Sequence, residues 1–523
     1  MLKDTPLKRG LCRLGLAAVL SLSFGAVAQD VNTVQATLHA DQPGQTVSRN
    51  IFGQFAEHLG SGVYGGIWVG ENSGIPNTRG YRDDVVAALR KLEVPVVRWP
   101  GGCFADEYHW REGIGPRARR PVKVNNHWGG VEETNAFGTH EFMDFAELIG
   151  TQAYVSGNVG NGTPQEMAEW VEYMTSDTRS TLAQERRENG RDKPWQVPFF
   201  GVGNELWGCG GNMRAEYAAD LHRRYQTFVK APAGQKIMKV AAGANGDDYH
   251  WTEVFMREAR DHVDALSVHY YTVPGGWPPR RSSVEFAEEE WIETLSQALR
   301  IDELIRRHSE IMDKYDPEKK VALFVDEWGT WYAGLPGVNP GFLQQQNTLR
   351  DALVASLHFD IFSDHADRVK MANIAQMVNV LQAMILTRED KMLLTPTYHV
   401  FEMYKPYMDA TRLPLELKAP MYLLGKNSVP AVHGSAVRGK DGKVYVALTN
   451  LDPNKPAQVT AGIRGLDAKT VSGRVLTAPS ITAHNSFEKP HEVKPVAFTG
   501  AKLEEGTLQV QLPPKSVVML QLN

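Results

Sequence analysis

Between residue 51 and about residue 400, short apolar runs alternate with helix-like stretches, and no other feature constrains the fold as tightly. The runs are IFGQFAE (51–57), VPVVRW (94–99), AYVSGN (153–158) and FFGVGNE (199–205), then KVAAGA (239–244), ALSVHYY (265–271), VALFVDE (321–327) and VKMANIA (369–375). Strands separated by helices pair in parallel, because the crossover carries the chain back to the same end. Eight such units predict an α/β fold, a closed (β/α)8 TIM barrel.

One connecting stretch shows the local logic. In NGTPQEMAEWVEYM, Thr163 is a good N-cap, Pro164 suits the first helical position and Glu166 completes a capping box. Met167, Trp170, Val171 and Met174 then fall on one stripe, which reads as core. Polar stretches 176–194 and 274–290 read as insertions in the loops before the fourth and seventh strands.

After about residue 400 the period changes from helical to two. KVYVALTNLD (443–452) and TLQVQLPPKSVVMLQLN (507–523) alternate, with Leu508, Val510 and Leu512 on one face and Gln509 and Gln511 opposite. Glycine and proline punctuate the segment, which predicts an antiparallel β-sandwich, jelly-roll-like, over 401–523. The alternating TVQATLHA (33–40), within 29–50, is expected to add a strand to it, leaving 51–400 for the barrel.

The first 28 residues have a different character. Lys3, Lys8, Arg9 and Arg13 precede an apolar run that ends in Ala26-Val27-Ala28, the pattern of a cleavable export signal. The mature protein is then periplasmic or secreted, and no later run is long and apolar enough to span a membrane. A net charge of −5 gives no reason to expect a nucleic-acid partner. Cys12 would leave with the signal. Cys103 and Cys209 form no CxxC pair, there is no HExxH, and no metal site is indicated. Both cysteines follow strand tips at the same end of the barrel, but two cysteines make no framework, and separate thiols are the favoured reading.

A barrel of this kind places its active site at the C-terminal strand ends. The fourth strand ends in Asn204-Glu205 and the seventh in Asp326-Glu327. Strand alternation puts Glu205 on the face of Gly201 and Gly203, and Glu327 on the face of Leu323 and Val325. If both faces point inward, two carboxylates meet at the barrel mouth. Such a pair suits glycoside hydrolysis: a neutral carboxyl protonates the leaving oxygen and an ionised one attacks the anomeric carbon. The bland reading, a strand-end ion pair for each, suits one glutamate better than two in patterned contexts.

The stretches VRWPGGCFADEYHW (97–110), GVGNELWGCGGNM (201–213), SVHYY (267–271) and FVDEWGTWY (324–332) resemble the α-L-arabinofuranosidases of glycoside hydrolase family 51. FGQFAEHLG (52–60), GIWVG (66–70), ETNAFGTHEFMDF (133–145) and MANIAQMVNVLQAMI (371–385) extend the resemblance over nearly the whole mature chain. It implies Glu205 as acid/base and Glu327 as nucleophile. It also implies a sugar pocket lined by Glu57, Cys103, Asn204, Tyr271 and Gln376. Arg98 should lie beside Glu327, with Asn158 and His269 in support. Trp110 and Trp128 read equally as sugar platforms or as loop packing.

The expected activity is exo-acting, retaining removal of terminal arabinofuranosyl groups from arabinoxylan, arabinan or their oligosaccharides. A two-carboxylate mechanism requires no metal or organic cofactor. A β-xylosidase or endoglucanase of the same family is the alternative, and a non-catalytic carbohydrate-binding protein the alternative from another class. Family members form hexamers, so the resemblance implies a homo-oligomer.

Overall fold

A computed structural model describes residues 30–232 and 234–523; residues 1–28, read as an export signal, lie outside the described residues. Residues 31–523 form one compact unit. Eight parallel strands close a barrel: β1 (Gly53–Phe55), β2 (Val96–Trp99), β3 (Gln152–Gly157), β4 (Phe199–Val202), β5 (Met238–Asn245), β6 (Ala265–Thr272), β7 (Ala322–Thr330) and β8 (Val369–Ile374). Each pairs in parallel with its sequence neighbour, and β8 closes onto β1. The expected barrel is therefore present, strand for strand.

The helices are α1 (Asp83–Leu92), α2 (Thr139–Ile149), α3 (Pro164–Thr175), α4 (Thr181–Glu188), α5 (Ala215–Gln226), α6 (Tyr249–Ala259), α7 (Glu288–Tyr315), α8 (Leu349–Asp364) and α9 (Pro396–Tyr404). Eight of them follow the eight strands in turn; α4 is extra and lies inside the polar stretch 176–194. Thr163 caps α3 by accepting from Glu166 N, as its sequence dictates. Inside the barrel, Val96, Tyr154, Phe199, Val240, Ala265, Phe324 and Met371 fill the centre. This apolar plug leaves polar groups room only above it, at the C-terminal strand ends.

Two further sheets stack on each other. One runs Leu415–Lys418, Asn32–His39, Ala457–Arg464, Thr507–Leu512, Ala501–Glu504; the other runs Thr411–Leu413, Val432–Arg438, Val444–Asn450, Ser516–Leu522, Val471–Leu476, Val496–Ala497. Leu508, Val510 and Leu512 face the shared core with Val34, Leu38, Val446 and Leu520, and Gln511 faces solvent. Every neighbouring pair is antiparallel except Asn32–His39 with Ala457–Arg464, which is parallel.

Helix α8 joins the two architectures. It contacts β7 on one side and the sandwich strands Val432–Arg438, Val444–Asn450 and Ser516–Leu522 on the other. A helix enclosed this way must be buried all round, and Leu349 through Ser363 are. Asp360 and Ser356 bond across to its neighbours. Asp360 accepts from Ser435 Oγ (2.5 Å) and Tyr404 OH (2.9 Å) and lies 3.0 Å from His433 Nδ1. Ser356 Oγ lies 2.6 Å from Thr449 Oγ1. From α7, fully buried Trp291 donates its indole N–H to Leu451 O at 3.0 Å. Replacing Trp291 by alanine removes a large side chain from this junction and leaves a cavity. Urea unfolding should show a loss of about 3–5 kcal/mol.

Candidate active site

The site is built from strand ends and the turns that leave them. Arg98 shares the inward face of β2 with Val96 and is buried beneath the barrel mouth. Its Nη1 donates to Glu327 Oε1 at 2.8 Å and its Nη2 to Asn204 Oδ1 at 2.6 Å. Its Nε lies 3.7 Å from Asp326 Oδ2, and its guanidinium sits 4.7 Å from the Phe55 ring centre. Burial alone would push this cation toward losing its proton. The charges of Asp326 and Glu327 override that and raise it above the ordinary arginine value.

Strand β7 does not follow simple alternation. Ser267 pairs with Phe324, but His269 pairs with Glu327, so three residues of β7 oppose two of β6. On the other side Val325 pairs with Ala372 and Trp328 with Ile374, the same mismatch. This is a β-bulge, which re-aims the side chains that follow it. The expectation that Glu327 shares a face with Leu323 and Val325 is therefore corrected. Leu323 and Val325 pack outward against the helices, whereas Phe324 faces the barrel interior. The extra residue brings both Asp326 and Glu327 inside. Glu327 Oε2 accepts from Tyr271 OH at 2.7 Å, and Asp326 Oδ2 from Tyr154 OH at 2.7 Å.

Glu205 lies beyond the end of β4 with φ at +42°, a left-handed conformation that a residue with a Cβ adopts at a cost. The preceding amide, Asn204 N, donates to Asp106 Oδ2 at 2.7 Å. Asp106 also accepts from Val159 N (2.7 Å) and Gly160 N (2.9 Å), so one buried carboxylate ties three loops. Burial, opposed by those amides, pushes Asp106 up to about 7.

His269 stands between the carboxylates. Its Nδ1 lies 2.8 Å from Glu205 Oε1 and 3.6 Å from Glu327 Oε2, and its Nε2 lies 3.0 Å from Asp326 Oδ1. Burial would lower its pKa. The charge of Glu327 and the bonds to Asp326 and Glu205 raise it instead, to about 10, so the ring is an imidazolium at neutral pH. Asp326 is pushed down: burial opposes this, but Arg98 and His269 outweigh it. Glu205 is pushed up, first by burial and then by the charge of Glu327, despite His269 and Arg98. An oxygen of Glu205, an oxygen of Glu327 and a ring nitrogen of His269 all lie within 4.8 Å of one another.

The pocket around this pair is lined by Glu57, Leu59, Gly102, Cys103, Trp128, Tyr271, Trp331, Leu343, Gln376 and Leu381. Glu57 forms one wall, accepting from Phe104 N at 3.1 Å and Gln376 Nε2 at 3.1 Å. Burial, then the charge of Glu327, raises Glu57 from 4.5 to about 7. Gly102 is small for a reason: a Cβ there would sit 3.1 Å from Glu57 Oε1 and 3.2 Å from Glu327 Oε1.

Nine of the ten residues singled out in the sequence converge here: Glu57, Arg98, Cys103, Asn204, Glu205, His269, Tyr271, Glu327 and Gln376. Asn158 does not. Its side chain bonds Tyr108 O, Asn161 and Gly162 N and closes the loop after β3, because its short amide suits a turn. The two tryptophans separate: Trp128 lines the pocket, while Trp110 is buried against Trp170. Cys103 and Cys209 are joined in a disulfide, which corrects the reading of separate thiols. The folded turns bring the two Cα atoms to 5.5 Å, a proximity no sequence spacing reveals. Asp106, Asp326 and Trp331 escaped the sequence reading. Asp326 had a signal, a second acid beside Glu327, but alternation assigned it to the opposite face.

Residues 88–286 match the family description alpha-L-arabinofuranosidase 1 domain, and residues 326–516 match alpha-L-arabinofuranosidase C-terminal domain. The chain is 52% identical over 509 residues to a Bacteroides ovatus protein named intracellular exo-alpha-L-arabinofuranosidase, covering 97% of this chain and 98% of that one. It is 31% identical over 444 residues to alpha-L-arabinofuranosidase C of Emericella nidulans, covering 80% and 85%. The crystal structure of the GH51 arabinofuranosidase from Xanthomonas axonopodis pv. citri superposes with a TM-score of 0.94 at 68% identity, covering 94% of this chain and all (100%) of that one. The arabinose complex of the Thermotoga maritima alpha-L-arabinofuranosidase superposes with a TM-score of 0.82 at 30% identity, covering 94% and 99%. Barrel and sandwich alike match one family, and the chain belongs to the α-L-arabinofuranosidases of glycoside hydrolase family 51.

Proposed function

We propose that this glycoside hydrolase is exported and removes terminal α-L-arabinofuranosyl groups from arabinoxylan, arabinan or derived oligosaccharides, with retention of configuration. Glu327 is the nucleophile and Glu205 the acid/base. The observation that carries this reading is the convergence of the pair, with one carboxylate oxygen of each within 4.8 Å of the other. Carboxyl groups about 5–5.5 Å apart suit direct attack, whereas about 6.5–9.5 Å leaves room for a water in the inverting route.

The two environments divide the labour. Arg98 and Tyr271 each hold one oxygen of Glu327, which fixes its angle and leaves a lone pair for the anomeric carbon. Glu205, more exposed and pushed toward its protonated form, protonates the departing oxygen. It then takes a proton from the water that hydrolyses the arabinofuranosyl–Glu327 ester. Asn204, held by Arg98, is placed for the sugar 2-hydroxyl. Glu57 and Gln376, bonded to each other, offer acceptors and donors to the remaining hydroxyls. Leu59, Leu343 and Leu381 line the same pocket. The Bacteroides ovatus relative is named exo-acting, and the Thermotoga maritima structure is an arabinose complex.

Export rests on the N-terminal signal pattern and on the disulfide, since disulfides persist in oxidising compartments. The Bacteroides ovatus relative carries the word intracellular in its name. Cell fractionation with N-terminal sequencing decides the matter for this chain: a mature periplasmic or secreted form beginning at Gln29 is expected, and an uncleaved cytoplasmic form would end the export reading.

Proton NMR of the first-formed sugar should show the α anomer, and hydrolysis of 4-nitrophenyl α-L-arabinofuranoside should exceed that of the β-D-xyloside and of cellulose. Glu327→Ala should lower kcat by a factor on the order of 10⁴–10⁶, the scale seen when an enzyme nucleophile is removed. The acid must be protonated to work, and its raised pKa carries that proton to higher pH. In a pH–rate profile, kcat/KM therefore falls as pH rises through that value. This alkaline limb should vanish in Glu205→Ala and persist in Glu57→Gln.

Glu57 also links to stability. Its proton is bound more tightly folded than unfolded, so its effect is to lower stability as pH rises between 4.5 and about 7. Glu57→Gln removes that decline. Melting temperatures at pH 5 and pH 8 should differ less in Glu57→Gln than in the wild type.

A further inference from the structure

We infer that the Cys103–Cys209 disulfide is a positioning element for Glu205, holding its turn so that the carboxyl faces the leaving oxygen. This inference rests on the acid/base role of Glu205 proposed above. The turn that carries Glu205 is tight and strained. Glu205 O accepts from Gly208 N at 2.7 Å and from Gly210 N at 3.1 Å, with Glu205 itself in the left-handed region. Gly210 has no room for a side chain: a Cβ would lie 2.1 Å from Asn204 O. A strained turn persists only where its surroundings over-determine it.

Three anchors surround this one. Asp106 holds the amide of Asn204 before it. Trp207 donates its indole N–H to Gly243 O at 3.0 Å after it. The disulfide is the third and the only covalent one, joining the turn across 106 residues of sequence to Cys103. Cys103 follows Gly102, the residue pressed against Glu57 and Glu327. The bond therefore runs from the wall beside the nucleophile to the turn that bears the acid.

The bridge also touches the acid itself. Cys209 Sγ lies 3.5 Å from Glu205 Oε2. A half-cystine has no proton to donate, so the sulfur packs against that oxygen without bonding to it. The other oxygen, Oε1, faces His269. One oxygen of the carboxyl is thus packed against sulfur and the other bonded to His269, which limits how the carboxyl can turn.

A bridge that merely stabilises the fold and a bridge that aims the acid differ in leaving-group dependence. Phenyl α-L-arabinofuranoside needs protonation to leave, whereas the 2,4-dinitrophenyl glycoside does not. Cys209→Ala and Cys209→Ser, which break the bridge without changing the pocket-lining Cys103, are measured on both substrates beside Glu205→Ala. Expected is a fall in kcat/KM of about 10–100-fold on the phenyl glycoside, the cost of roughly an ångström of misplacement, with less than about 3-fold on the dinitrophenyl glycoside. An equal loss on both substrates, or none, overturns the inference.

Should neither variant fold, the folded wild type is treated with dithiothreitol. The reductant closes to its cyclic disulfide, and two protonated thiols remain at Cys103 and Cys209. The same selective loss on the phenyl glycoside, recovered on reoxidation, is expected; unchanged ratios in protein whose thiols have been titrated overturn the inference. If Glu205→Ala shows no leaving-group dependence, the acid/base assignment itself falls. If Glu205→Ala shows it and the cysteine variants do not, only the positioning role falls.

Discussion

Arg98 is the side chain on which the site depends. A cation buried at the centre of a barrel is stable only beside compensating anions, and Arg98 has Asp326 and Glu327 for that purpose. In return it fixes three strands' worth of chemistry at once: its own β2, the Asn204 amide beyond β4 and the carboxylates of β7. Phe55 packs against the guanidinium, its ring centre 4.7 Å away. Two cations, Arg98 and His269, face four carboxyl groups in this space: Glu57, Glu205, Asp326 and Glu327. Glu57 and Glu205 are pushed up, and Asp326, gripped by both cations, is pushed down. Burial, and then the charge of Glu327, thus favour the protonated form of Glu205.

The bulge in β7 is the second constraint. A regular strand could present Asp326 or Glu327 to the interior, never both. One extra residue admits both and sets them to different tasks: Asp326 faces Tyr154, Arg98 and His269 below, while Glu327 faces Tyr271 and the pocket. The register shifts against both neighbouring strands, and against β8 a second shift, between Leu323 and Phe324, runs the other way.

The rest of the molecule gives this cluster a rigid frame. The apolar plug of Tyr154, Phe199, Phe324 and their neighbours closes the barrel from below. The sandwich grips the barrel from the side through α8, whose Asp360 contacts Tyr404, His433 and Ser435 and whose Ser356 contacts Thr449. The turns above the strands are tied by Asp106 and by the Cys103–Cys209 bridge. Strain at Glu205 and a raised Glu57 both cost stability, and a frame of this kind is what tolerates them.

The sequence by itself determined the barrel, because eight apolar runs separated by amphipathic helices have one economical parallel closure. It determined the capped start of α3 and the inward row of Leu508, Val510 and Leu512, where a period of 3.6 or 2 is written directly in the residue order. It also picked out Glu205 and Glu327, since a carboxylate after an apolar strand is conspicuous without any coordinates, while the other pocket residues came with the family resemblance. Only the tertiary structure decided the facing of Glu327, because a bulge depends on what two neighbouring strands will pair with. Only the tertiary structure joined Cys103 to Cys209 and sent Asn158 to its own loop, because both outcomes turn on distances of a few ångströms between residues far apart, or folded back, along the chain. Periodicity reports which way a residue tends to face; the balance of charge, strain and contact in a closed volume settles where it ends up.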